Sequence, residues 1–293
     1  MTEPLAAAIP ARVVRVDFGG CTVVTEDGRV LEAIARGKLM GNRKSLGNTL
    51  VVGDVAQVVF DRERAVIDAV APRRNTFSRR AAGDRVEEQV VAVNLDQVVV
   101  VAALRDPEFR AGFVDRVLAQ ADHAGIPARL VLNKCDLGTE SEAVALLADY
   151  ARAGHPGVAV SARTGAEVEH LRHQCRARRS LFVGHSGVGK STLLNALFPG
   201  LELIDTPGVR SFGLWGIGPD DLDQAYPEFR PYLGECRFGD CRHEREPGCA
   251  LRTAAESGAV AARRFESYLK LREELIAEAP TYGGRGSRRG SDS

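Results

Sequence analysis

Gly184-His185-Ser186-Gly187-Val188-Gly189-Lys190-Ser191 has the spacing G-x-x-x-x-G-K-[ST]. It follows the apolar run SLFV and opens the helical stretch STLLNALF. In that strand–loop–helix context the pattern cradles the phosphates of a nucleoside triphosphate. Gly184, Gly187 and Gly189 permit a backbone path that would clash with side chains. The freed N–H groups face phosphate oxygens, and the helix start adds positive potential. Lys190 is expected to bridge the β- and γ-phosphates, and Ser191 to ligate Mg²⁺. The expected contact set is Gly184, Ser186, Gly187, Val188, Gly189, Lys190, Ser191 and Thr192. A glycine turn that merely starts a helix would not need strand, loop and helix to agree.

Asp205-Thr206-Pro207-Gly208 follows the apolar run LELI. An aspartate at a strand end can hold Mg²⁺ through water, and the Gly208 N–H can meet the γ-phosphate. Alone the tetrapeptide is a common turn; beside a phosphate loop it reads as a GTPase switch. Asn133-Lys134-Cys135-Asp136 follows ARLVL. The Asp136 carboxylate can accept from guanine N1–H and from its 2-amino group. Adenine offers neither, so the wrong base leaves a carboxylate unpaired. Asn133 and Lys134 are expected to brace this loop. Ser161-Ala162-Arg163, after GVAV, fits the loop whose backbone N–H meets guanine O6. Lys190, Ser191, Asp205 and Gly208 form the expected catalytic set. A P-loop ATPase or kinase is the competing enzyme reading, and Asp136 argues against it.

The base-reading pair at 133 and 161 precedes the phosphate-reading pair at 184 and 205, the reverse of the usual order. Circular permutation builds the same site from that order. It also makes the segment after Gly208 the direct leash of whatever follows. Val209 stands where many GTPases carry a water-orienting glutamine, so slow intrinsic hydrolysis is expected. His185 reads as structural.

Cys236-x4-Cys241-x-His243-x5-Cys249 gathers three thiols and an imidazole within 14 residues. Such a set suits one tetrahedral Zn²⁺, and four protein ligands leave no open position, so the metal would be structural. Free cysteines in a loop are the alternative. The region has few aliphatic residues for a core of its own, which favours a metal as the source of stability.

These residues need elements to hold them. The 293 residues suit two or three domains, and 44% apolar content is ordinary for a globular chain. No apolar run reaches membrane-spanning length. The N-terminus does not read as a signal peptide, so cytoplasm is the default, with a monomer as the default state. Net charge is zero, so any nucleic-acid contact must come from local basic patches. RVVRV, CTVVT, VLEAIA, DVAQVVF and AVIDAV are short β-branched runs between Gly and Asp signals. They fit a small barrel such as an OB-fold, with a sandwich fragment or an SH3-like barrel as alternatives. Residues 72–91 are Arg-rich and read as a linker. QVVVVAAL, ARLVLNK, GVAVSA, RSLFVG and LELIDT then alternate with four helical stretches, which implies a mostly parallel α/β sheet with ligands at the strands' carboxyl ends. A helix is expected around 253–278, with Phe265, Leu269 and Ile276 sharing a face, and the tail reads as disordered. The resulting division is 1–72 barrel, 73–91 linker, 92–215 permuted GTPase domain and 216–293 mainly helical zinc domain.

Together the motifs resemble the circularly permuted, ribosome small-subunit-dependent GTPase A family (RsgA, also called YjeQ). The likeness covers nearly the whole chain: RGKL at 36–39, VVGDVAQV at 51–58, NLDQVVVVAAL at 94–104, VLNKCDL at 131–137, FVGHSGVGKSTLLNAL at 182–197, LIDTPGVRSFGL at 203–214 and CRFGDCRHEREPGCA at 236–250. It implies an RNA-binding OB-fold, a permuted GTPase domain and a zinc domain. It also implies GTP hydrolysis stimulated by the small ribosomal subunit, in late assembly of that subunit, with GTP/GDP, Mg²⁺ and one Zn²⁺ as cofactors. One departure stands out. Only 14 residues separate Lys190 from Asp205, where the family places a switch with a Thr that reaches Mg²⁺ and a Gly-Arg-His-Thr stretch. The abrupt FPG–LEL join reads as residues left out of the sequence rather than as a working switch. Contacts to rRNA are expected from Arg36, Lys38, Arg43 and Lys44 and from the linker's Arg73, Arg74, Arg79 and Arg80; a solvated face is the alternative for each. The second reading is a GTP-gated RNA-binding module with little turnover, motivated by the missing switch and Val209.

Overall fold

A computed structural model describes residues 8–17, 19–36, 50–81, 87–198 and 212–278. Five strands, β1 (Ile9–Asp17), β2 (Gly20–Thr25), β3 (Val30–Ala35), β4 (Val55–Asp61) and β5 (Arg64–Val70), close into a barrel in the order β1-β2-β3-β5-β4. The β3–β5 pair is parallel and the other barrel pairs are antiparallel. Strict alternation drives closure: along β2, Cys21, Val23 and Thr25 point inward while the residues between them are half-exposed. Val13, Val23, Val58 and Ile67 fill the interior.

Residues 76–93 are not a linker. They form an antiparallel hairpin, β6 (Thr76–Arg80) with β7 (Glu88–Val93). The arginines around it bind within the molecule. Arg73 holds the buried Asp54 with Nε 2.8 Å from Oδ1. Arg74 reaches Asp96, Arg79 donates to Gln89 Oε1, and Arg80 pairs with Glu278. Gly53 makes the close approach of barrel to hairpin possible. Its φ is +97°, and a Cβ there would stand 2.1 Å from Val93 O.

Strands β8 (Gln97–Ala103), β9 (Ala128–Asn133), β10 (Gly157–Ala159) and β11 (Ser180–Gly184) form a parallel sheet in the order β10-β9-β8-β11. All seven residues of β8 are buried, as a strand covered on both faces must be. Val98, Val100 and Ala102 enter one core with Val114, Leu118 and Tyr150; Val99, Val101 and Ala103 enter another with Leu171 and Leu193. Helices α1 (Ala111–His123) and α2 (Glu140–Arg152) cover the first face, α3 (Val168–Cys175) and α4 (Lys190–Leu197) the second. The chain winds outward from β8 through β9 to β10, then returns to the far side of β8 as β11. That reversal opens a crevice at the strands' carboxyl ends.

Beyond residue 211, Phe212–Trp215 lies against α1. Trp215 N donates to Gln120 Oε1 (2.8 Å) and Gln120 Nε2 donates to Trp215 O (3.2 Å). Arg116 donates to Phe212 O and the Arg80 N–H to Gly213 O. The expected helix at 253–278 is two helices, α5 (Ala250–Glu256) and α6 (Ala262–Glu278). Gly258, at φ +78°, breaks them. Phe265 is buried but Ile276 is 46% exposed, so α6 does not present the expected face. Its buried face is Arg264, Phe265, Ser267, Tyr268, Leu271 and Arg272. The region does build a core, contrary to the expectation of few aliphatic residues there: Leu214, Ile217, Leu222, Leu251, Val260 and Leu271 surround Tyr226, Phe229, Phe265 and Tyr268, whose ring centroids lie 4.8–6.4 Å apart. Arg264, 1% exposed, ties it to the sheet domain. It donates to Asp115 Oδ1 (2.6 Å) on α1 and to Glu228 Oε1 (2.7 Å), with Tyr150 and Tyr226 rings at 5.3 and 4.6 Å.

Candidate functional site

The carboxyl ends of β11, β9 and β10 deliver three loops to one place. β11 ends at Gly184, the loop turns through Gly187 (φ +86°) and Gly189 (φ +82°), and α4 starts at Lys190. A Cβ at Gly189 would stand 2.6 Å from Asn133 Nδ2, so the loop can lie this close to Asn133 only as glycine. Asn133 joins all three loops. Its Nδ2 donates to Val188 O (2.9 Å), and its Oδ1 accepts from the Ala162 N–H (3.1 Å). It is 1% exposed, which makes it costly to leave any of these groups unpaired.

Asp136 lies in the short helical turn after β9. Its Oδ1 accepts from Ser161 Oγ at 2.5 Å, and its Oδ2 accepts from the Arg163 guanidinium. The Ser161 hydroxyl and then Arg163 hold its carboxyl below the usual range. Lys134, at φ +59°, sends its ammonium to Asp106 O. Burial raises the Cys135 thiol pKa, so that thiol is not poised as a nucleophile. Lys190 is 6% exposed and burial lowers its ammonium pKa. Ser186, Gly187, Ser191 and Thr192 are exposed at the surface of this loop and helix start.

A cavity of about 420 Å³ opens between these loops, lined by Asn133, Lys134, Asp136, Ser161, Gly189 and Thr192, with Ala162, Arg163 and Asp106 completing its wall. One ligand in this cavity can therefore touch the Asp136 carboxylate and the start of α4 together. Asp205 and Gly208, with Val209, lie outside the described residues, as do Lys38, Arg43 and Lys44. His185 is held by structure. Its Nε2 lies 2.8 Å from Arg110 Nη1 and its Nδ1 2.9 Å from Ser186 O. Arginine only donates, so Nε2 accepts and Nδ1 carries the proton. Two wall residues escaped the sequence reading as ligand contacts. Arg163 was visible within its tripeptide, and Asp106 follows β8 at a carboxyl strand end, where ligands are expected.

The second cluster is compact. His243 Nδ1 lies 3.5, 3.7 and 3.4 Å from the sulfurs of Cys236, Cys241 and Cys249. All four donor atoms fall within 4.8 Å of one another. A tetrahedral Zn²⁺ about 2.3 Å from sulfur and about 2.0 Å from nitrogen sets S and N roughly 3.5 Å apart. The donor set and spacing fit that ion. His243 turns its other nitrogen toward Asp223 at 3.7 Å, and the Arg252 N–H donates to Cys249 Sγ. Such outer contacts orient metal ligands.

The family model described as RsgA GTPase matches residues 70–204. The protein called small ribosomal subunit biogenesis GTPase RsgA in Gemmatimonas aurantiaca is 40% identical over 300 positions, covering 91% of this chain and 97% of that one. Its counterpart in Bacteroides fragilis is 34% identical, covering 86% and 92%. The first alignment is longer than this chain's 293 residues, so that relative carries residues with no counterpart here. Among solved structures, YjeQ from Thermotoga maritima superposes with a TM-score of 0.76 at 31% identity, covering 92% of this chain and 99% of its own. YloQ, a circularly permuted GTPase, shares the fold with a TM-score of 0.73 at 23% identity, covering 96% and 100%.

Proposed function

The chain belongs to the RsgA family of GTPases, and from that premise we propose that it hydrolyses GTP to GDP and phosphate in the biogenesis of the small ribosomal subunit, stimulated by that subunit and docked on its rRNA. The observation that carries the guanine reading is the Asn133 junction, which seats the Asp136 carboxylate and the phosphate loop on one cavity. Lys190 would hold the β/γ-phosphates, and backbone amides of 187–191 would face their oxygens. Bound Mg²⁺ would neutralise charge on those oxygens; Ser191 and Asp205 would hold it. Catalysis by such a site is positioning plus electrostatics. For rRNA the reading rests on Lys38, Arg43 and Lys44, with Arg36 beside them half-exposed and paired to Asp68 on β5. Arg73, Arg74 and Arg80 are engaged in ion pairs within the chain, which supports a scaffolding role for them. Among the described residues no helix is long and apolar enough to cross a membrane.

The test is phosphate release from GTP by the purified chain, with and without small ribosomal subunits. Stimulation of roughly tenfold or more is expected, since a partner that completes a GTPase site acts on this scale or above. The short Lys190–Asp205 spacing favours a second reading, a GTP-gated RNA-binding module. Tight GTP binding with no stimulated turnover would select it and sink the first.

The Cys236, Cys241, His243 and Cys249 set would hold one structural Zn²⁺, fixing the loop between the 3-10 turn Pro227–Tyr232 and α5. Cys249→Ser is expected to abolish the bound zinc, while Cys21→Ser in the barrel keeps it, read by atomic emission on the purified chains. Full zinc content in the Cys249 variant would discard this assignment.

A further inference from the structure

The carboxylate expected to read guanine is already engaged by a side chain with guanine's own donor pattern. Arg163 Nε lies 3.2 Å from Asp136 Oδ2, and Nη2 donates to the same oxygen. Two N–H donors fill both lone pairs of Oδ2. Oδ1 is held by Ser161 Oγ. The recognition edge of guanine, N1–H beside the C2 amino group, is itself a planar guanidine fragment with two parallel donors. Guanine would place one donor on each carboxylate oxygen, and Oδ2 cannot take its share while Arg163 fills both of its lone pairs. The two partners are also unequally anchored. The Arg163 side chain is 74% exposed and that of Asp136 15% exposed. The carboxylate is fixed by its loop, and the arginine is free to swing into water.

We infer that Arg163 is an internal competitor of the guanine base, whose guanidinium must leave Asp136 before a guanine nucleotide is bound. This rests on the GTPase reading above. The molecule is competent for base pairing only in the fraction of time the ion pair is open, and apparent affinity falls by that fraction. An ion pair on so exposed an arginine is weak, so the effect is a roughly 1.5- to 5-fold reduction in association rate and affinity. Arg163 tunes loading without taking part in phosphate chemistry.

The test is stopped-flow binding of GDP carrying a fluorescent ribose label to the full chain. Arg163→Ala is expected to bind about 1.5- to 5-fold faster than wild type with an unchanged dissociation rate. Arg163→Lys, which cannot present two coplanar donors, should fall between them. In an Asp136→Asn background, Arg163→Ala should change nothing, because the carboxylate that holds the ion pair is gone. Arg163 is exposed, so its removal leaves the core intact. Slower or unchanged association in Arg163→Ala, or faster dissociation, overturns the inference and leaves the GTPase reading standing. A wild-type chain that does not bind the probe overturns both.

Discussion

Lys190→Ala is expected to lower the rate of GTP hydrolysis by roughly 10²- to 10³-fold, the scale seen when one preorganised charge or donor is removed from a developing oxyanion. Lys190 is the first residue of α4 and is 6% exposed. Its ammonium stands where the phosphate loop closes, away from bulk water, and an attraction there is screened far less than at the surface. Charge builds on the transferring phosphoryl oxygens as the bond breaks, so the loss falls on kcat more than on KM. Arginine does not substitute, because its planar fork needs room that a buried ammonium site lacks. Steady-state phosphate release at saturating GTP and Mg²⁺ checks this. A variant that turns over at the wild-type rate would remove Lys190 from the reaction.

The largest stability effect is expected at Arg264. Its guanidinium is enclosed by Asp115 on α1 and Glu228 ahead of the Cys236–Cys249 loop, with side chains 0% and 8% exposed. Arg264→Ala leaves two buried carboxylates without their cation and empties the space between the Tyr150 and Tyr226 rings. Breaking a buried pair by deleting one partner costs about 3–5 kcal/mol. Urea unfolding followed at the tyrosines measures it. Arg264→Met with Asp115→Asn should recover part of the loss, because the space is filled and only Glu228 is left as a stranded charge. A midpoint equal to wild type in Arg264→Ala would show that the cluster does not bind the C-terminal region to the sheet.

The parts of the molecule that were legible in sequence are those whose cause is local. The β-branched run CTVVT gave a barrel strand, and β2 is one. The unbroken QVVVVAA run gave a strand buried on both sides, and β8 divides its side chains between two cores. The phosphate loop was legible because its spacing and its flanking strand and helix are all within a few residues. The hairpin at 76–93 was not, because its arginines imitate a solvated linker. Their partners, Asp54, Asp96 and Glu278, lie 19, 22 and 198 residues away. No local pattern carries that pairing. In α6 the apolar residues alone pointed to a face through Ile276. The real face is centred on Arg264, Tyr268 and Arg272, and two buried arginines rotate it. Within the site, Asn133 was legible as a brace but its reach into the phosphate loop was not, and the Arg163–Asp136 contact spans two loops.

The 149 positions between Asp115 and Arg264 impose an order on synthesis. Chains fold largely from the amino end as they emerge. The barrel can close once residue 70 is out, and β8 gains its β11 neighbour after residue 184. Through all of that time Asp115 sits on α1 with its future cation still untranslated. A message cut short before codon 264 therefore yields a sheet domain whose α1 lacks the residues that cover and pair Asp115. The last helix is what makes the earlier part worth keeping, and the cell's proteases would be expected to recognise the difference.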